Sequence, residues 1–185
     1  MTRPRAQSPA RRGFTLIEAI TTIVILSVVM AVCSRLISTA SAAYTGSATR
    51  AELHAELSTA MERVMLELRS CRTDPGGSAA PDISSARADS ITWTTPAGDR
   101  VLSRSGSSLL LSIDGTSCTL ASNITSLAIQ TYDLDNEELD STLDDDECQE
   151  VQRVQVTLTA QRSNITESLR SRVFLRCVAS GAGAP

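Results

Sequence analysis

Apolar residues fall into three regimes along the chain, and each predicts a different element. From Phe14 to Ser34 they run almost unbroken, 21 residues in which Glu18 is the only charge. At about 1.5 Å per residue that run spans a hydrocarbon core of roughly 30 Å, so it reads as a membrane helix. Beyond Ser38–Ala48, which is small and polar, Leu53, Leu57, Ala60, Val64 and Leu68 recur at spacings of three and four. That is one apolar stripe on an amphipathic helix, with Glu52, Glu56, Glu62, Arg63, Glu67 and Arg69 assigned to its wet side. The helix is expected to run to about residue 71 and to stop before Asp74-Pro75-Gly76-Gly77, giving roughly 85 Å if continuous. Residues 72–90 read as a linker loop rich in Ser, Ala, Pro and Asp.

The third regime has period two. Ser90–Thr95, Arg100–Ser103, Ser108–Ile113, Cys118–Leu120, Ser126–Tyr132, Val151–Thr159 and Leu169–Arg176 alternate apolar and polar positions, separated by turn signals at Pro96–Gly98, Gly106 and Asp114-Gly115. Strands of this kind form an antiparallel sheet over residues 91–178, one face on the long helix and one in water, followed by a loose tail from 179 to 185. The expected fold class is α+β.

Glu18 is the residue this pattern does not explain. A carboxylate inside a membrane helix costs on the order of 2.5–3.5 kcal/mol on insertion scales, so it calls for a partner within the membrane. Its context is Arg11-Arg12-Gly13-Phe14-Thr15-Leu16-Ile17-Glu18, with Arg3 and Arg5 further upstream. A secretory signal is cut after its apolar stretch, whereas here the basic residues and the glycine precede it. Four arginines ahead of the span place that end in the cytoplasm.

This string resembles the leader junction of type IV prepilins and of the pseudopilins of type II secretion. The resemblance implies a leader at 1–13, cleavage between Gly13 and Phe14 by a membrane-embedded prepilin peptidase, and N-methylation of Phe14 by the same enzyme. Residues 14–34 then form the membrane half of a long helix and 35–71 its amphipathic half. The resemblance also implies that the new amine of Phe14 pairs in the lipid with Glu18 of a neighbouring subunit, which fixes register more than it adds stability. The order of helix, loop and antiparallel strands is similar to the pilin plan. The segment from Leu127 to Leu158 is similar to the carboxy-terminal half of W-type minor pilins and J-type minor pseudopilins. Implied partners are other pilin or pseudopilin subunits, the peptidase and an inner-membrane assembly platform. The implied location is the bacterial inner membrane and then a filament, with the folded domain in the periplasm or outside the cell.

Charge and composition narrow the alternatives. The formal charge of −4 falls to about −8 when Arg3, Arg5, Arg11 and Arg12 leave with the leader, so no nucleic-acid partner is expected. Trp93, Tyr44, Tyr132, Phe14 and Phe174 are the only aromatics, too few for a stacking platform. No G-x-S-x-G string accompanies the single histidine, His54, and no enzyme or organic cofactor is expected. An alternative of another class is a single-pass anchored domain that binds a ligand or catalyses a reaction and forms no filament.

Two further sets of residues carry expectations. Of the five cysteines Cys33 lies in the apolar run, leaving Cys71, Cys118, Cys148 and Cys177. Three pairings are open to four cysteines; Cys71 with Cys118 and Cys148 with Cys177 is the favoured one, free thiols the alternative. The segments 151–160 and 168–177 read as a hairpin whose open end brings 148 towards 177. The stretch from Asp133 to Glu147 packs ten acidic or amide side chains into 15 positions. Asp133, Asp135, Glu137, Asp144 and Asp146 are candidate calcium ligands there, although the EF-hand spacing and its glycine are missing. A solvated acidic loop is the preferred reading.

Overall fold

A computed structural model describes residues 15–75 and 80–175. The chain divides into two compact units, Met1–Thr45 and Gly46–Pro185. A single helix, α1 (Leu16–Arg69), contributes to both.

In the first unit every large apolar side chain of α1 faces outward: Leu16, Ile17, Ile20, Ile23, Val24, Ile25, Leu26 and their successors to Ile37 are all exposed. Three hydroxyls in this stretch are satisfied within the helix. Thr21 donates to the carbonyls of Ile17 and Glu18 at 3.0 and 3.1 Å, Thr22 to Glu18 at 2.6 Å, and Ser27 to Val24 at 2.8 Å. Such closure is what lipid demands of a polar group. The helix is long and apolar enough to cross a membrane.

In the second unit the rest of α1 buries Leu53, Leu57, Ala60, Met61, Val64, Met65 and Leu68. The expected stripe is therefore present and wider by two methionines. The last turn tightens, with Ser70 and Cys71 N–H donating to Glu67 and Leu68 carbonyls at 3.1 Å, and Arg72 N–H then reaches the Thr94 carbonyl at 3.0 Å.

Nine strands follow: β1 (Ile83–Arg87), β2 (Ser90–Thr95), β3 (Gly98–Ser105), β4 (Ser108–Ile113), β5 (Thr116–Ala121), β6 (Ile124–Tyr132), β7 (Thr142–Asp144), β8 (Arg153–Arg162) and β9 (Ile165–Phe174), with a 3₁₀ turn at Asp145–Glu150. All pair antiparallel. They form two sheets where one was expected, a six-stranded sheet in the order β5-β4-β3-β2-β1-β7 and a three-stranded sheet in the order β6-β8-β9. The break falls between β5 and β6, where Asn123 takes φ 58° and the chain leaves the first sheet. Single backbone bonds stitch the seam: Ile124 to Ser107 and Ile129 to Ala88, both 2.9 Å.

Two strands lie in segments read as loops. β1 sits within 72–90, where a bulge between Ile83 and Ser85 hides the alternation that buries Ile83 and Ala86. β7 sits within the acidic stretch, carried by the buried Leu143.

Ion pairs fasten helix to sheets. Glu67 Oε2 lies 3.1 Å from Arg100 Nε, and both side chains are largely buried. The Trp93 indole donates to the Glu67 carbonyl at 3.2 Å. Glu67 was assigned to the wet face by its spacing; the buried Arg100 of β3 draws it inward. Glu56 accepts from Ser122 N–H and hydroxyl at 2.8 and 2.9 Å and from Arg162 at 2.8 Å. Arg50 pairs with Glu167 at 2.7 Å. At the β3–β4 end, Gly98 has φ 115° and a Cβ there would collide with the Asp114 carboxylate, which accepts from Asp99 N–H at 2.9 Å.

Candidate functional site

The start of α1 is built by its own sequence. Thr15 precedes the first helical residue, and Glu18 N–H donates to Thr15 Oγ1 at 3.3 Å and to the Thr15 carbonyl at 3.1 Å. Thr-x-x-Glu is the signature of a capping box, a signal present in the sequence but not used in reading it. It places the Glu18 carboxylate in the first helical turn. Glu18 is exposed and forms no ion pair among the described residues. Its exposed neighbours are the apolar Leu16, Ile17 and Ile20. Gly13 and Phe14, the expected cleavage and methylation positions, lie outside the described residues.

The cysteines do not pair as expected. Cys71 is buried where α1 returns to β2, its Sγ 3.5 and 3.9 Å from the Arg72 and Asp82 carbonyls. Cys118 is an exposed free thiol in β5, three strands from β2 in the sheet order. Three strand spacings amount to about 14 Å, twice the Cα separation a disulfide tolerates. Cys148 is a buried free thiol whose pKa is pushed up to about 11, chiefly by burial. Its expected partner, Cys177, lies outside the described residues. The hairpin that motivated that pairing is β8–β9, paired from Arg153–Phe174 to Arg162–Ile165.

The acidic stretch is split in two. Asp133 accepts from Glu137 N–H at 2.8 Å in a turn where Asn136 has φ 68°, which also holds Asp135. Asp144 ends β7 and lies 3.6 Å from Arg87, while Asp146 borders a shallow pocket with Asp74, Asp82 and Gln149. The five candidate calcium ligands therefore do not converge, and among the described residues no group of three or more His, Cys, Asp or Glu is placed to hold a metal ion.

A row of polar contacts across the outer face of the second sheet escaped the sequence reading. Gln155 donates to Gln130, and Arg172 donates to Gln155 Oε1 at 2.9 Å and to Asn136 Oδ1 at 2.7 Å. The Arg172 guanidinium lies 3.9 Å from the Tyr132 ring centroid. Period two located the strands, but only the register β6-β8-β9 aligns Gln130, Gln155 and Arg172.

Residues 8–34 match the family described as "Prokaryotic N-terminal methylation motif". No curated protein matches the chain. The match covers the expected junction, Glu18 and the whole apolar run. Motif and fold together support a type IV pilin-like protein that carries the processing motif of prepilin peptidase substrates.

Proposed function

We propose that the chain is a minor subunit of a type IV pilus or of a type II secretion pseudopilus, and that it works by assembling and not by catalysis. The observation that carries this reading is the carboxylate of Glu18, five positions after Gly13 and exposed on an apolar helix with no ion-pair partner among the described residues. Cleavage after Gly13 supplies the missing cation, the amine of Phe14 on an adjoining subunit. The helix first stores the subunit in the inner membrane; extraction by the assembly platform then exchanges lipid for neighbouring helices around the same apolar surface. The folded domain, in the periplasm or outside the cell, sets contacts with other subunits. The similarity of Leu127–Leu158 to W-type minor pilins and J-type minor pseudopilins supports the minor role. No cofactor is needed for any of these steps.

The test separates charge from helix capping. Glu18→Gln keeps a capping-box residue and removes the charge. Expected results are a mature chain that begins at methylated Phe14 by mass spectrometry, and loss of the protein from the sheared filament fraction. Wild-type incorporation of Glu18→Gln refutes the pairing role. A chain retaining Met1 in cells that contain the peptidase refutes the family reading of the junction.

A further inference from the structure

Among the described residues β9 has a neighbour strand on one side only. Its ten residues pair with β8 without a bulge. Bonds elsewhere in the sheet fix which of its backbone groups face away. Ile129 of β6 donates to Ala88, outside the sheet, while the Tyr132 carbonyl accepts from Gln152 on the β8 side. Ile129 stands opposite Val156, so Val156 turns its N–H and C=O towards Ser171 of β9. Leu175 N–H, donating to the Gln152 carbonyl at 3.0 Å, gives the same parity from the other end. Thr166, Ser168, Arg170 and Arg172 therefore direct their N–H and C=O groups away from β8, and their side chains are exposed.

An edge of this length is a template for pairing unless something blunts it. β9 contains no proline and no bulge. Of its two cations, Arg172 is turned across the sheet onto Gln155, Asn136 and Tyr132, while Arg170 makes no ion pair among the described residues. We propose that β9 is a docking edge for an extended acidic strand of a different protein, which adds to the β6-β8-β9 sheet with a carboxylate opposite Arg170. Alternate positions of that strand face Leu169 and Val173 and are apolar, since Leu169 is partly buried against the core. Among the described residues, no sheet edge of a second copy supplies such a strand. Of the edges of the six-stranded sheet, β5 (Thr-Ser-Cys-Thr-Leu-Ala) has no carboxylate and β7 is three residues long. Antiparallel self-pairing of β9 centred on Arg170 opposes like charges. The inference does not depend on filament assembly, because the edge belongs to the folded domain alone.

The test uses the full chain in detergent micelles and two labelled peptides, one alternating valine with glutamate and one alternating valine with lysine, followed by fluorescence anisotropy. The glutamate peptide is expected to bind saturably, and the lysine peptide about tenfold more weakly or not at all. Arg170→Glu, at an exposed side chain, lowers the affinity for the glutamate peptide by about tenfold. Ser168→Pro removes an outward N–H without touching the β8 ladder and abolishes binding. Unchanged Trp93 fluorescence shows that each variant is folded; if Ser168→Pro fails that check, Arg170→Glu alone decides. Equal binding of the two peptides, absent binding of both, or full binding by Arg170→Glu overturns the proposal.

Discussion

Removing the Arg100 guanidinium tests how the amphipathic half of α1 is held to its sheet. Arg100 is buried, donates from Nε to Glu67 at 3.1 Å and from Nη1 to the Asp99 carbonyl at 3.0 Å, and lies 3.8 Å from Asp114. Breaking a buried pair by deleting one partner costs about 3–5 kcal/mol, because the remaining charge is left without compensation. Glu67 is not wholly abandoned in Arg100→Ala, since Arg63 stays 2.6 Å from its other oxygen, one turn back on the helix. Arg63 is half exposed and its attraction is screened by solvent, so the expected loss is about 2–3 kcal/mol. Trp93 is the single tryptophan, is fully buried and donates to the Glu67 carbonyl, so its fluorescence reports this contact directly. Urea titration of the full chain in detergent should show a lower midpoint at constant slope. The double variant Glu67→Leu/Arg100→Leu should recover most of the loss, because apolar replacement of both partners is often neutral. A single variant within about 0.5 kcal/mol of wild type refutes the claim that this pair holds the helix.

Glu56 has its carboxyl pKa lowered from 4.5, first by the Ser122 backbone N–H and then by the Ser122 hydroxyl and Arg162, against an opposing effect of burial. A depressed folded value means that its stabilisation is complete above 4.5 and is lost as pH falls below that value through the folded pKa; Glu56→Gln should flatten the acid limb of a stability–pH curve, and an unchanged limb argues against it. In the reduced, folded protein, iodoacetamide at about pH 8 should alkylate exposed Cys118 and spare Cys148 until urea is added, as a thiol with a pKa of about 11 is almost wholly protonated. Equal rates at the two positions, read by mass spectrometry, count against the buried placement of Cys148.

What the sequence made legible were features that repeat or that carry a fixed spacing. The period of three and four gave α1 its buried face, and period two gave β2, β4 and β6 to within two residues. Glycine, phenylalanine and glutamate at fixed offsets gave the methylation motif that the family match covers, independent of any tertiary contact. Features set by long-range pairing stayed hidden. Glu67 and Arg100 are 33 positions apart, and nothing local marks either as buried. A division into two sheets depends on where one strand stops pairing, and the turn at Asn123 looks like any other. β1 was lost because Ser and Ala show little contrast in hydropathy and its bulge breaks the alternation. The acidic stretch was legible in composition and illegible in space: β7 and the 3₁₀ turn carry Asp144 and Asp146 to the first sheet, while Asp133 and Asp135 stay at the end of β6.

The two units satisfy their apolar surface by opposite means, and this contrast bears directly on function. Residues 46–185 close a core of their own, with Trp93, Leu57, Ile91, Leu102, Leu109 and Leu158 almost wholly buried. From Leu16 to Ile37 the chain buries none of its large apolar side chains. At about 25 cal/mol per Å² such a surface does not remain in water. Lipid can cover it uniformly, and in the proposed assembly so would the equivalent helices of other subunits, so exchange between the two covers would involve little change in apolar exposure. The distinction between those environments then falls to the one group that lipid serves badly. In the proposed assembly Glu18 gains its partner when another subunit's amine arrives, and that gain would bias the exchange towards assembly.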